Sequence, residues 1–303
     1  MSKYATLERS CTKQKTDLFV RGSAVRPPFH IRPLEAHYSE GGTGNIHFHS
    51  HTHFELYYFH GGKGNYLIGD KIFVLAPGDL ILMHGMTLHC PNVDRTVPYK
   101  RTIVHFDPAF VKPFTESPFA ANMLQPFYEL KNYRMHLEGE QRAEVEAILA
   151  KMCKISLETS GLARDRLIVA FLDLLLIVNE CCQASDSTSS FPSDKERHAQ
   201  NIIDYVEEHY HEDLHLEQLE ETLHLNKYYL SKLFKEVTGA TIFDYIYHRR
   251  INQSKIHFVL DRDMTVTDVC YKVGFKHPSH FTRMFKSRVG CTPEQFRKRA
   301  LNS

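Results

Sequence analysis

The sequence predicts an α+β fold in three parts: an N-terminal antiparallel β-barrel, a helical region, and an all-α C-terminal domain with two helix–turn–helix units. Three observations carry this expectation. Short apolar runs broken by Gly, Asp and Pro fill residues 29–106, the apolar period turns helical near Glu140, and one residue pattern occurs twice towards the C-terminus. At 303 residues the chain is long for one domain and can bury two cores.

The barrel rests on runs such as Glu55 to Phe59, Tyr66 to Ile68, Ile72 to Leu75, Leu80 to Met83 and Thr102 to Val104. Gly61-Gly62, Gly69-Asp70 and Pro77-Gly78-Asp79 mark turns between them. Tyr57, Phe59, Tyr66 and Phe73 fall at alternate strand positions and are expected in the core. From Glu140 to Cys182, Val145, Ile148, Leu149 and Met152 share one helical face, and the apolar run around Phe171 predicts a helix buried on most sides. These helices hold more apolar surface than a small barrel covers, so a homodimer contact is expected; the alternative is that they only brace the barrel. Ser185 to Asp194 is polar and Ser-rich, and reads as a linker. The expected boundaries are 1–110, 111–184, 185–195 and 196–303.

Net charge is +1, but its distribution is uneven. Acidic residues prevail from Arg197 to Glu221, whereas from Lys227 onward roughly fifteen Lys/Arg face six Asp/Glu. Such asymmetry predicts an anion-binding face. The seven cysteines show no zinc-ribbon or disulfide spacing. Residues 1–15 lack an apolar signal core, and the apolar run Leu167 to Val178 is too short to span a bilayer. A cytoplasmic protein without membrane contact is expected.

The internal repeat is the most specific signal. Ser231-Lys232-Leu233-Phe234-Lys235, then Gly239 and Thr241, recurs as Thr282-Arg283-Met284-Phe285-Lys286, then Gly290 and Thr292. Upstream, Leu216, Leu219, Leu223 and Leu225 match Val266, Val269, Val273 and Phe275. Thr265 with Asp268 predicts a capping box, Gly274 a left-handed turn, Pro278 a first helical position, and Gly290 a stop. Thr292-Pro293-Glu294-Gln295 opens a further helix. The two second helices bury Leu230, Leu233, Phe234, Val237 and Phe281, Met284, Phe285, Val289. They expose Tyr228, Ser231, Lys232, Lys235 and Ser279, Thr282, Arg283, Lys286. Hydroxyl and basic side chains at the start of such a helix suit a major groove. A single helix of this kind is usually just a solvated face; two copies with matched turns favour DNA.

These residues resemble the AraC/XylS family of bacterial regulators, over roughly Asp213 to Arg299. The ending Gly274-Phe275, Phe281, Phe285, Gly290, Thr292-Pro293 and Phe296-Arg297 carries the signature. The resemblance implies two units held by a connecting helix, here Ile242 to Leu260, presenting recognition helices to successive grooves. It places base contacts at Tyr228, Ser231, Lys232, Ser279, Thr282 and Arg283. Glu220, Ser254 and Cys270 stand where the family commonly has Ala, and Glu220 is the odder change. The implied partners are double-stranded DNA, a small-molecule effector such as a sugar, and RNA polymerase if the protein activates transcription.

In the N-terminal part, His49, His51, Glu55 and Gly62, with Gly78 and His89 downstream, resemble the cupin barrel used as a sensor by many such regulators. Gly85-Met86 replaces the usual Pro-Gly before the last His. Cupins that hold a metal use these three His and the Glu, so His49, His51, Glu55 and His89 are candidates for an effector or a metal. Three readings stay open: an organic-effector pocket, a regulatory metal site, or a metalloenzyme of dioxygenase or isomerase type carrying a nucleic-acid-binding domain. The first is preferred, and neither an enzyme nor a cofactor is expected. Residues 21–29 are read by analogy as an arm over the pocket.

Overall fold

The computed structural model describes residues 33–41, 47–115, 122–184, 193–261 and 263–301; the expected arm and residues 185–192 of the expected linker lie outside these. The N-terminal part contains β1 (Leu34–Glu40), β2 (Phe54–Gly61), β3 (Gly64–Ile68), β4 (Lys71–Val74), β5 (Asp79–Met83), β6 (His89–Val93), β7 (Lys100–Phe106) and β8 (Tyr133–His136). They form two antiparallel sheets, ordered β1-β7-β2-β5-β8 and β4-β3-β6. Strand β8, within the stretch expected to be helical, completes the edge beside β5. Buried Asp79 helps to hold it there, accepting from His136 Nδ1 at 2.9 Å.

The larger sheet is covered on both faces, which explains why β2 reads as an unbroken apolar run. Tyr57, Phe59, Ile81 and Met83 point one way and pack with Tyr66, Ile68, Phe73 and Leu75 of the smaller sheet. Leu56, Tyr58, Leu80, Leu82, Val104 and Phe106 alternate to the other face. There they meet two long helices. After α1 (Pro108–Thr115) and α2 (Gln125–Glu129) come α3 (Gly139–Ser156) and α4 (Ala163–Ala184). Val145, Ile148, Leu149 and Met152 of α3 and Phe171, Leu174, Leu175 and Val178 of α4 enter this core. Helix α4 is less enclosed than its composition predicts: Leu162 just before it, Val169 and Leu176 are 70%, 64% and 43% exposed.

The C-terminal part is α5 (Asp194–His209), α6 (Leu216–Leu223), α7 (Lys227–Thr238), α8 (Ile242–Leu260), α9 (Val266–Lys272), α10 (Pro278–Val289) and α11 (Pro293–Leu301). Asn226 caps α7, accepting from the Tyr228 amide at 2.9 Å. Thr265 and Asp268 form the expected reciprocal box, and Thr292 with Gln295 does the same for α11. Gly239 and Gly290 close α7 and α10 in the left-handed conformation. Glu220 has a partner, for its carboxylate accepts from Asn226 Nδ2 at 3.3 Å.

The turns inside the two units differ. Gly274 has φ +90°, and a Cβ there would lie 2.7 Å from the His211 carbonyl oxygen, so only Gly fits. The matching residue of the first unit is His224, which holds φ +53° with a full side chain.

The two halves share a core. The outer face of the smaller sheet, with Phe48, Leu67, Ile72, Leu88 and Cys90, packs with Ile202, Ile203, Leu233, Phe234, Val237 and Tyr245. Polar contacts stitch the same surface. Gln200 Nε2 donates to the Asp70 carbonyl at 2.6 Å and its Oε1 accepts from the Ile72 amide at 2.9 Å. Asn92 Nδ2 donates to the Glu236 and Val237 carbonyls at the end of α7.

Candidate functional site

In the C-terminal part the residues expected to meet DNA sit on α7 and α10. Tyr228, Lys232 and Lys235 of α7 are exposed and Ser231 is half-buried. On α10, Ser279, Arg283 and Lys286 are exposed and Thr282 is half-buried. Opposite them, Leu230, Leu233, Phe234 and Val237, and Phe281 and Phe285, are buried. Each unit thus offers one face of hydroxyls, cations and, in the first, a phenol. That face can donate to phosphates and to base edges.

In the N-terminal part, His49, His51, Glu55 and His89 converge, joined by a residue the sequence pattern did not nominate, His105 of β7. Glu55 is only 2% exposed. Its Oε2 lies 3.2 Å from Nε2 of both His51 and His105, and 3.9 Å from Nε2 of His89. His105 arrives because β2 and β7 pair in a register that sets Glu55 opposite it. Strand alternation puts it on the inner side, between outward-facing Val104 and Phe106; the register itself is not written in either strand. An isolated bridge, His49 to His89, brings those two rings within 4.0 Å, edge to face. Half-buried Glu35 and His37 also gather about His105.

Burial alone would favour the neutral acid, but hydrogen bonds from His105 and His51 hold the Glu55 carboxyl well below its usual range. Burial pulls the His105 ring down, and Glu55 more than offsets this, leaving its pKa raised. Burial, aided by the neighbouring His49, pushes His89 down to about 3, and burial lowers His49 as well. The result is one buried anion beside a His105 ring whose charged form it favours and two rings, His49 and His89, that burial holds neutral.

Three of these rings are oriented by backbone carbonyls. His49 Nδ1 faces the His47 oxygen at 3.0 Å, His51 Nδ1 the His53 oxygen at 3.0 Å, and His89 Nδ1 the Thr87 oxygen at 2.9 Å. In His49 and His89 Nδ1 donates to its carbonyl, whereas the His51 ring faces acceptors at both nitrogens, the His53 carbonyl and the Glu55 carboxylate. His60 and His84 are engaged elsewhere: His60 Nε2 lies 2.8 Å from Thr102 Oγ1, and His84 Nδ1 lies 2.8 Å from the Gly85 carbonyl oxygen.

The segment carrying these rings also touches the C-terminal part. Ser50, between His49 and His51, bonds to Asn252 and Lys255 of α8. The amide of Met86 donates to the His51 carbonyl at 2.6 Å. No helix among the described residues is long and apolar enough to cross a membrane.

Comparison with known proteins matches two families in sequence. An AraC-like ligand-binding domain covers residues 28–176, and a helix-turn-helix domain covers residues 219–299. An uncharacterized HTH-type transcriptional regulator of Staphylococcus aureus strain COL is 30% identical over 140 residues, 46% of this chain and 18% of that protein. The bifunctional transcriptional activator/DNA repair enzyme AdaA of Bacillus subtilis strain 168 is 29% identical over 97 residues, 32% of this chain and 46% of that protein. The chain therefore spans less than half the length of either relative. Among solved structures, fatty-acid-bound ToxT of Vibrio cholerae aligns over 89% of this chain and 97% of its own, at 12% identity and a TM-score of 0.40.

Proposed function

The chain belongs to the AraC family, joining an AraC-like ligand-binding domain to a helix-turn-helix domain, and we propose that it regulates transcription by binding double-stranded DNA through α7 and α10. The observation that carries this reading is the doubled helix–turn–helix unit, with hydroxyl and basic side chains on the exposed face of both second helices. Tyr228, Ser231, Lys232, Ser279, Thr282 and Arg283 read bases, and Lys235 and Lys286 hold phosphates. The protein acts in the cytoplasm as an activator, with RNA polymerase as a further partner.

The ligand that sets its activity is held at the His/Glu cluster. Aromatic and aliphatic side chains fill the space between the sheets beside it, which favours a ligand smaller than a sugar. Sensing is favoured over catalysis because Ser50, flanked by two of the histidines, is tied to α8, a link that a sensor uses and an enzyme does not need. A homodimer is built on Val169 and Leu176, seven residues apart on one exposed stripe of α4, with exposed Leu162 in the turn just before the helix.

Selection of DNA from a random pool by the purified full chain tests the reading. Recovery of one motif with two half-sites supports it. Recovery of unrelated sequences with steep salt dependence alone overturns it.

A further inference from the structure

The smaller sheet and the C-terminal helices do not close completely over one another. Beside their shared core a cleft of about 600 Å3 remains, with Pro91, Asn92 and Val93 of β6 on one wall and Thr238, Gly239 and Ala240 at the end of α7 on the other. Ser287 and Arg288, at the end of α10, line it as well. The cleft therefore touches the N-terminal part and the C-terminal ends of both helices assigned to DNA.

Its charge is unbalanced. Arg95 and Arg288 line it, and Asp244 is the single carboxylate among the described lining residues. The remaining ionisable groups there are His47, His248 and the Cys90 thiol, which burial pushes up to about 12 and so keeps neutral. The His248 ring lies against Phe48, with centroids 5.0 Å apart, and burial, aided by the Arg288 charge, pushes its pKa down to about 3.

Arg288 is poorly served by its neighbours. Its side chain is 18% exposed, yet Nε is buried with no hydrogen-bond partner among the described residues. Nη2 lies 3.6 Å from Asp244 Oδ1, too far for a hydrogen bond, and Nη1 faces the Met284 sulfur at 3.8 Å. The Asp244 carboxylate is meanwhile held by Thr241 Oγ1, which donates to Oδ2 at 2.8 Å. Packing does not call for a cation at this position, because the matching residue of the first unit is Val237, which is buried. The Nε–Nη2 edge of a guanidinium takes two acceptors side by side, and leaving it unfilled away from water is costly until an anion meets it. Helix ends do not oppose an anion here. Helix α7 stops at Gly239 and α8 starts at Ile242, so a negative and a positive terminus adjoin, and Asn92 Nδ2 already covers the Glu236 and Val237 carbonyls.

We propose that this cleft binds a small organic oxyanion, a carboxylate or a phosphate monoester, as a second ligand distinct from the one at the His/Glu cluster. Its acid group pairs with the Nε–Nη2 edge of Arg288 and with Arg95, and its body lies on Pro91, Val93 and Ala240. A cleft of about 600 Å3 suits a ligand of metabolite size. Bound there, the anion ties β6 to the ends of α7 and α10 and acts on how the two DNA-facing helices are held, without passing through the barrel. That consequence rests on the regulator reading; the site itself does not.

The test titrates the full chain calorimetrically with cyclohexanecarboxylate, phenyl phosphate and the neutral cyclohexylmethanol. One equivalent of at least one acid should bind and the alcohol should not, and the two acids separate the carboxylate from the phosphate source. Arg288→Gln should weaken binding by about tenfold or more, and Arg288→Lys, which keeps the charge but not the fork, by less. Arg95→Gln, at an exposed position that leaves the core untouched, should weaken it by about threefold or more. Lys151→Gln, which removes an exposed cation of α3, should leave it within about twofold. Circular dichroism of each variant confirms that it is folded. Failure of both acids to bind overturns the proposal, as does binding that the alcohol matches or that ignores both Arg288 and Arg95. Affinity for DNA selected by the full chain should change by about threefold or more when the acid is bound, and should not change in Arg288→Gln. Acid binding with no effect on DNA overturns the coupling and supports the site alone.

Discussion

Ser50 Oγ donates to Asn252 Oδ1 at 2.5 Å, and the other end of that amide, Nδ2, donates to the Met86 carbonyl at 2.8 Å. A single buried side chain of the helix connecting the two DNA-binding units is therefore gripped from two sides by the sensor segment. Both grips lie one bond network from the cluster, since Ser50 follows His49 and precedes His51, and Met86 bonds to the His51 backbone. If the proposed ligand site is right, a shift of His51 would reach Asn252 through either route.

Ser50→Ala should cut this route. The variant should keep its ligand affinity within about threefold and lose about 1 kcal/mol of stability from the hydrogen bond. The difference in DNA affinity between ligand-loaded and ligand-free protein should shrink towards none. Fluorescence anisotropy on operator DNA, with and without ligand, reads this directly. An undiminished ligand response would show that the signal travels elsewhere.

Arg283→Ala and Lys286→Ala should fail in different ways. Loss of Arg283 should cost about 1–3 kcal/mol at the specific site and relax selectivity at one or two base pairs. Loss of Lys286 should weaken all sequences alike and reduce the salt slope by about one. Titrations of specific and scrambled DNA at several salt concentrations separate the two. Unchanged operator affinity in Arg283→Ala would remove α10 from the groove.

Lys255 predicts a pH dependence. Its Nζ donates to the Ser50 carbonyl at 3.3 Å and to the Ser50 hydroxyl, and burial lowers its pKa from 10.5 to about 8. Between those two values the unfolded chain holds a proton that the folded chain has released. Stability attributable to this residue should therefore rise from pH 8 to pH 10.5, by about 3 kcal/mol at most. Denaturant midpoints across that window should climb less in Lys255→Met than in the parent. Parallel curves would mean that the ammonium is solvated in the native state.

Val169→Glu tests the dimer. A charge on the exposed stripe of Val169 and Leu176, next to Leu162, should raise the dissociation constant by about tenfold or more. Sedimentation equilibrium should show a dimer for the parent and a monomer for the variant. A parent that stays monomeric at tens of micromolar would leave α3 and α4 with the bracing role alone.

Legibility in the sequence followed the range of the interactions. The helix–turn–helix units were readable because caps, turns and stripes are set by residues three or four apart, as with Thr265 and Asp268 or Leu230, Leu233 and Phe234. The alternation of Tyr57 and Phe59 likewise revealed a strand and its inner face. His105 stayed hidden because its place beside Glu55 depends on how β2 and β7 align, which no local pattern encodes. Leu67 and Ile72 fell within the apolar runs read as barrel strands, yet they pack with the C-terminal helices; apolarity says that a side chain is covered, not by which body. Strand β8 was missed because Tyr133 to His136 is short and flanked by helical sequence.

The shared core between the smaller sheet and α5, α7 and α8 has a thermodynamic consequence. If ligand and DNA bind as proposed, they act on one packed body, and their effects must be reciprocal. Whatever factor the ligand imposes on operator affinity, operator DNA must impose on ligand affinity. A promoter that binds the protein would then set the ligand concentration at which that same protein responds, and two promoters of unequal strength would switch at different thresholds with no change in the protein.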